Sequence, residues 1–425
     1  MGSESMNRRK FFSHAIKRSV LMMAPAMLIA RTAGGVQQEQ QQPVPMKTQT
    51  AQHNSDKQRV TLFLCGDVMT GRGIDQILPY PGSPEIFESY LQDARSYVDL
   101  AEKTNGPIKK PVPYNYIWGD ALAEFERVAP DLRIINLETS VTTSNRYWRG
   151  KGINYRMHPR NIECLSAAGI DGCALANNHV LDWGYQGLTE TLATLELANI
   201  KTAGAGVDAE QAGAPAIFDL PGKGRIILFS CAEPGSGVPY NWYASTDRAG
   251  INLFHELSSK TVDRISRQIS AVKQKNDIVI VSIHWGSNWG YEIPAGHRRF
   301  AHELIDKADV DVIHGHSSHH PKGIEKYRNK PVIYGCGDFI NDYEGISGHE
   351  TYRGDLSLMY FVTMNVVTGE LVQLELVPTQ IKHLRVNRAT PADAQWLNAM
   401  LNREGSRLHT QFSLHADNTI HLKSA

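Results

Sequence analysis

The sequence has 425 residues, with 44 basic and 44 acidic side chains and 41% hydrophobic residues. That length supports one large core or two ordinary domains, and the balanced charge supplies no global field that would favour nucleic acid or a membrane surface. The five cysteines (Cys65, Cys164, Cys173, Cys231, Cys336) form no CxxC and no zinc-ribbon spacing; four lie in or beside apolar runs and read as small core residues.

Taken in order, residues 1–35 read as a targeting segment, outside the fold. Asn7-Arg8-Arg9-Lys10-Phe11-Phe12 precedes an apolar run from Val20 to Ala30. An arginine pair followed by such a run resembles a twin-arginine export signal, and the run is about half the ~20 residues that a spanning helix needs. The expected location is therefore periplasmic or cell-envelope. Residues 36–58 are rich in Gln, with Pro43 and Pro45, and read as a linker. The main domain is expected over 59–385, with a C-terminal helix and tail over 386–425 packed on it.

Within the domain, short apolar runs alternate with helical patterns. Residues 74–118 interrupt the rhythm and read as an insertion, either a packing excursion or a lid; its Glu85–Lys103 stretch has helix composition. Helices are expected over Asp120–Ala129, Arg160–Ala168, Tyr185–Ala198, Glu256–Lys275 and Ala295–Ala308. Leu356–Val367 and Leu371–Leu376 read as a hairpin, and Pro391 starts a last helix over Ala392–Asn402. This alternation predicts an α/β layered fold.

The apolar runs end in polar residues of one kind. Val60–Cys65 leads to Asp67, Leu132–Ile135 to Asn136 and Glu138, and Gly172–Ala176 to Asn177, Asn178 and His179. Ile278–Ile283 leads to His284, Val310–Ile313 to His314, His316 and His319, and Val332–Tyr334 to Asp338. Ligands gather at the carboxyl ends of strands in open α/β sheets. Carboxylates, amide oxygens and imidazoles together suit manganese, iron or zinc, and two close cations make a hydrolytic site.

Leu64-Cys-Gly-Asp-Val-Met69, Asn136-Leu-Glu138, Ala176-Asn-Asn-His-Val-Leu-Asp182, His284-Trp-Gly286 and Gly315-His-Ser-Ser-His319 stand in this order. Over roughly residues 60–345 the chain thereby resembles the poly-γ-glutamate capsule biosynthesis (CapA/PgsA-type) family, within the calcineurin-like metallophosphoesterases. The resemblance implies a four-layer α/β/β/α sandwich of two mixed sheets and a site for two divalent ions (Mn, Fe or Zn). It implies Asp67 and His319 at the first metal, Glu138 as the bridging carboxylate, and Asn178, His284 and His316 at the second. His179 takes the place of the non-ligand histidine that protonates a leaving group or stabilises developing charge. Asp182 either orients His179 or caps the following helix. The sequence departs from the phosphoesterase pattern at Met69, where a histidine is expected, at Glu138, where an aspartate is, and from the capsule pattern at Asp338, where an asparagine is.

The loop Arg146-Tyr-Trp-Arg149-Gly-Lys151 is basic and aromatic. It suits an anionic polymer or a phosphorylated substrate, with Arg146 and Arg149 as contacts, or is a solvated surface loop. Trp285 is a candidate pocket wall. His314 reads as a core histidine, and His320 as a decoy or a substrate contact. The expected function is that of an exported metal-dependent hydrolase attacking a phosphoester or amide. The alternative is a non-catalytic, polymer-binding accessory of a membrane-bound polyglutamate synthase complex.

Overall fold

Runs that are apolar at every position, not only at alternate ones, build strands covered on both faces. A computed structural model describes residues 58–423. The export segment (1–35) and all but the last residue of the linker (36–58) lie outside the described residues. The main strands are β1 (Arg59–Val68), β2 (Leu132–Leu137), β3 (Gly172–Ala174), β4 (Lys201–Ala203), β5 (Ala216–Leu220), β6 (Gly224–Ala232), β7 (Ile278–His284), β8 (Val312–His316), β9 (Ile324–Tyr327), β10 (Lys330–Ile333), β11 (Asp338–Ile340), β12 (Leu356–Asn365), β13 (Glu370–Ile381), β14 (Val386–Arg388), β15 (Phe412–Leu414) and β16 (Ile420–Leu422).

They form two mixed sheets. The first runs β15-β16-β13-β12-β1-β2-β3-β4, with β11 added to β1 and β14 to β13; the second runs β9-β10-β8-β7-β6-β5. β1 through β4 pair in parallel, whereas β1 and β12 are antiparallel. Alternate residues divide the core. Leu62 and Leu64 of β1 join Leu228, Ile280 and Val312 in a cluster that draws on both sheets. Phe63 and Cys65 instead join Phe125, Leu188 and Leu195 from the helices Ala121–Val128 and Gly184–Leu197. Val279, Val281 and Ile283 of β7 pack with the helices Ser259–Val272 and Ala295–Ala308. Each fully buried aliphatic or aromatic side chain contributes about 1.5–3 kcal/mol.

Two helix expectations need correction. The helix expected over Glu85–Lys103 begins only at Arg95 and runs to Asn105. Glu88 is drawn inward to the buried Arg72 guanidinium (2.8 Å) and the Tyr97 hydroxyl, and Glu85 bridges Asp93; a buried charge keeps its partner at the expense of local propensity. The helix expected over Arg160–Ala168 is two short turns, Pro159–Asn161 and Glu163–Ser166. The tail after Asn402 contains a hairpin, β15–β16, that joins the first sheet through β13. All five cysteines are free and buried. Among the described residues, no helix is long and apolar enough to cross a membrane.

Candidate metal centre

Sheet register brings the polar strand ends together. Asp67 on β1 is in register with Asn136 on β2 and, on its other side, with Asp338 on β11. The β1 and β11 backbones touch: a Cβ at Gly66 would lie 1.6 Å from the Gly337 carbonyl oxygen, so only glycine fits there. In the second sheet His284 on β7 is in register with His316 on β8. The two sheets meet where His316 Nδ1 stands 3.8 Å from Asp67 Oδ1. Asp67, His284 and His316 are all buried, each offering one ligand atom within 4.8 Å of the others.

The surrounding hydrogen bonds fix these side chains. Asn136 Nδ2 donates to Asp67 Oδ1 (2.7 Å) and to Glu138 Oε2 (3.2 Å), so the bridging candidate Glu138 sits on the Asp67 side of the cluster. Asn177 Nδ2 donates to Asn136 Oδ1 and to the Leu137 carbonyl, and Asn177 Oδ1 accepts from the backbone N–H of His179 and Val180. That turn aims Asn178 and His179. Ser282 Oγ lies 2.9 Å from His316 Nε2, which leaves Nδ1 of that ring 2.8 Å from His284 Nδ1. His284 Nε2 and Asn178 Oδ1 are among the buried side-chain atoms without a partner. Buried polar groups are ordinarily satisfied. The orphaned His284 nitrogen, in a cluster with Asp67 and His316, fits a divalent cation, and a nitrogen and oxygen donor set suits manganese, iron or zinc.

Electrostatics agree with this chemistry. Burial and the neighbouring Asp338 push the Asp67 carboxyl up to about 7. Burial, Asp67 and Asp338 push Glu138 well above the usual carboxylate range. Burial holds His284 and His316 well below the ordinary imidazole value, so both rings are neutral, as ligands must be. His319 pairs with Asp338, its Nδ1 2.9 Å from Oδ1. Burial works against its charged form, but Asp338 and then Asp67 prevail and raise it.

His179 Nδ1 lies 2.6 Å from Asp182 Oδ2, which also accepts from the Tyr155 backbone N–H. Asp182 thus holds His179, and the next helix is entered at Trp183 without a side-chain cap. Nε2 of His179 lies 3.7 Å from Glu138 Oε1.

The structure separates the remaining candidates. Arg146 and Arg149 are exposed. Lys151, two residues past Arg149, is the member of that loop that reaches the site: its Nζ is 2.7 Å from Asp182 Oδ1 and 2.9 Å from His179 Nδ1. Trp285 is buried, stacked on His297 (4.7 Å between centroids), with its indole N–H donated to the Tyr334 carbonyl. It supports the Ala295–Ala308 helix and does not line an open pocket. His314 is bonded to the Cys65 carbonyl and Ser282, and His320 to Pro321 and Gly290, as core histidines are. Asn136 and Asn177 also belong to the site. Their signal was in the sequence, since each sits at a strand end beside an expected ligand.

The family profile described as bacterial capsule synthesis protein PGA_cap matches residues 61–343. The chain belongs to this family. The PGA_cap match spans every strand-end residue of the cluster, from Asp67 to Asp338. A probable polyglutamine synthesis accessory protein of Mycobacterium tuberculosis is 46% identical over 367 residues, covering 86% of this chain and 96% of that relative. The PGA biosynthesis protein CapA of Bacillus subtilis is 25% identical over 333 residues, covering 77% and 72%. The capsule biosynthesis protein CapA of Bacillus anthracis is 22% identical over 330 residues, covering 76% and 69%.

Proposed function

We propose that this PGA_cap protein is an exported, metal-dependent hydrolase that acts in the synthesis or processing of poly-γ-glutamate or a related anionic envelope polymer. The convergence of Asp67, His284 and His316 within 4.8 Å, with a buried unpartnered nitrogen on His284, carries the reading. A four-layer α/β/β/α arrangement of the calcineurin-like type is part of it; the cluster shared by both sheets and the two helix-covered clusters support it. The export signal is read from residues 7–30 alone.

A divalent pair bound here would polarise a phosphoryl or carbonyl oxygen and acidify water. The chain's own residues do the rest. Asp67, Glu138 and His319 on one side, and Asn178, His284 and His316 on the other, would hold the ions. His179 is held at Nδ1 by Asp182 and Lys151, which leaves Nε2 to exchange a proton with a substrate. Burial, then Lys151, lowers its pKa to about 4. The negative charge of a bound substrate would raise that value and let His179 act as a proton donor. Arg146 and Arg149 lie outside the cluster, where a polyanion would approach.

A second reading, a non-catalytic polymer-binding accessory of a membrane-bound synthase complex, is favoured by Met69. It stands where the phosphoesterase pattern has histidine and packs with its sulfur 3.6 Å from the Tyr343 hydroxyl. The names of the mycobacterial relatives, which call them accessory proteins, point the same way.

Metal analysis of the domain from Arg59 onward tests the first reading, with Asn178→Ala and His284→Ala in parallel. Near-stoichiometric Mn, Fe or Zn, lost in both variants, is expected; none after supplementation would sink it. His179→Ala separates the two functions. It should abolish hydrolysis of phosphodiester and polyglutamate substrates with metal retained, whereas unchanged polymer production in cells would favour the accessory.

A further inference from the structure

Residue 338 opens β11, and the sequence puts a carboxylate there. Asp338 is 1% exposed and in register with Asp67. Both its oxygens face His319 Nδ1, at 2.9 and 3.1 Å, and Asn341 Nδ2 donates to Oδ2 at 3.1 Å. We infer that Asp338 is a metal ligand in this chain, holding with His319 and Asp67 the cation position that a histidine at residue 69 would otherwise complete. This rests on the metal reading above and deepens it.

Three observations carry it. First, ligands bonded to one cation at ~2.1 Å stand about 3–3.4 Å apart, and Asp338 Oδ2 stands 3.1 Å from His319 Nδ1. Second, Asp67, Glu138 and Asp338 are three carboxyl groups buried together, Asp338 in register with Asp67, and a dipositive ion offsets negative charge gathered in this way. Third, the unpartnered His284 nitrogen independently marks the adjoining position as built for a ligand. Met69 is buried on the same side, since Tyr343 touches its sulfur and packs edge-on against His319. Asp67, reached from both sides, then becomes the shared ligand, a part the resemblance gives to Glu138.

The test is manganese binding by calorimetry and elemental analysis on the domain from Arg59, comparing wild type, Asp338→Asn and Met69→His/Asp338→Asn. Wild type should take two equivalents and Asp338→Asn one, the second affinity falling more than the 10–100-fold that loss of an outer-shell partner costs. The double variant should regain the second equivalent, which an orienting role for Asp338 does not predict. Two equivalents with affinity unchanged in Asp338→Asn would overturn the assignment and leave the metal reading standing; no manganese in wild type would overturn both. Anomalous scattering from manganese-soaked wild-type crystals needs no variant. A peak within about 2.3 Å of an Asp338 oxygen is expected, and peaks that leave Asp338 bonded only to His319 would refute it.

Discussion

Two imidazoles in the site each lean on an aspartate, and they shift in opposite directions. His179 touches Asp182 at 2.6 Å and is depressed to about 4, by burial first and Lys151 second. His319 touches Asp338 at 2.9 Å and is raised, Asp338 and Asp67 overcoming burial. The difference is the third charge. Lys151 sits on the first pair and answers the Asp182 carboxylate directly, whereas the second pair has another carboxylate beside it. A histidine–aspartate contact alone therefore does not set the direction in which an imidazole shifts; the third charge beside the pair does.

The comparison can be broken at its strongest point. Asp182→Ala leaves Lys151 buried without its counter-ion and should cost about 3–5 kcal/mol in urea denaturation; a loss under ~1 kcal/mol would mean that water reaches that lysine. Lys151→Met should raise the His179 pKa by roughly 1–3 units in the metal-free protein, read by NMR titration of the ring; no movement would refute the role given to Lys151.

The two histidines should also shape opposite limbs of the pH–stability curve of the metal-free protein. The folded-state pKa of His179 is below its ordinary value, so its contribution is complete above about pH 6.5 and is lost as pH falls toward 4. His319 is raised, so its contribution is complete below about pH 6.5 and is lost as pH rises through its folded value. His179→Gln should flatten the acid limb and His319→Gln the limb above it, both followed by urea midpoint. The smallest effect belongs to the exposed loop: Arg146→Gln and Arg149→Gln should change stability by no more than about 0.5 kcal/mol, and a larger loss would show that the loop packs on the site.

Much of this was legible before any coordinates. β1, β2, β7 and β8 announce themselves as apolar runs, and the chemistry-bearing residue at each end follows from strand length. Residues 85–94 were not legible, because Glu88 answers a buried arginine that local composition cannot reveal. Lys151 was visible as part of a basic loop, but which of its cations turns inward depends on how the chain returns past Asp182. Trp285 looked like a pocket wall because it follows His284; the pleat of β7 and the Ala295–Ala308 helix direct it into the core instead.

The placement of β1 has a consequence for how the protein is made. Its antiparallel neighbour is β12, with Arg59 opposite Asn365, and its far end is closed by β11. A chain emerging from the ribosome with its N-terminus first exposes one edge of its central strand until the segment around Asn365 has been synthesised, and an open edge is a template for wrong pairing. Asp67 therefore waits through most of translation for the residues that complete its surroundings. Termination before β12 would leave that edge of β1 unpaired beside the centre.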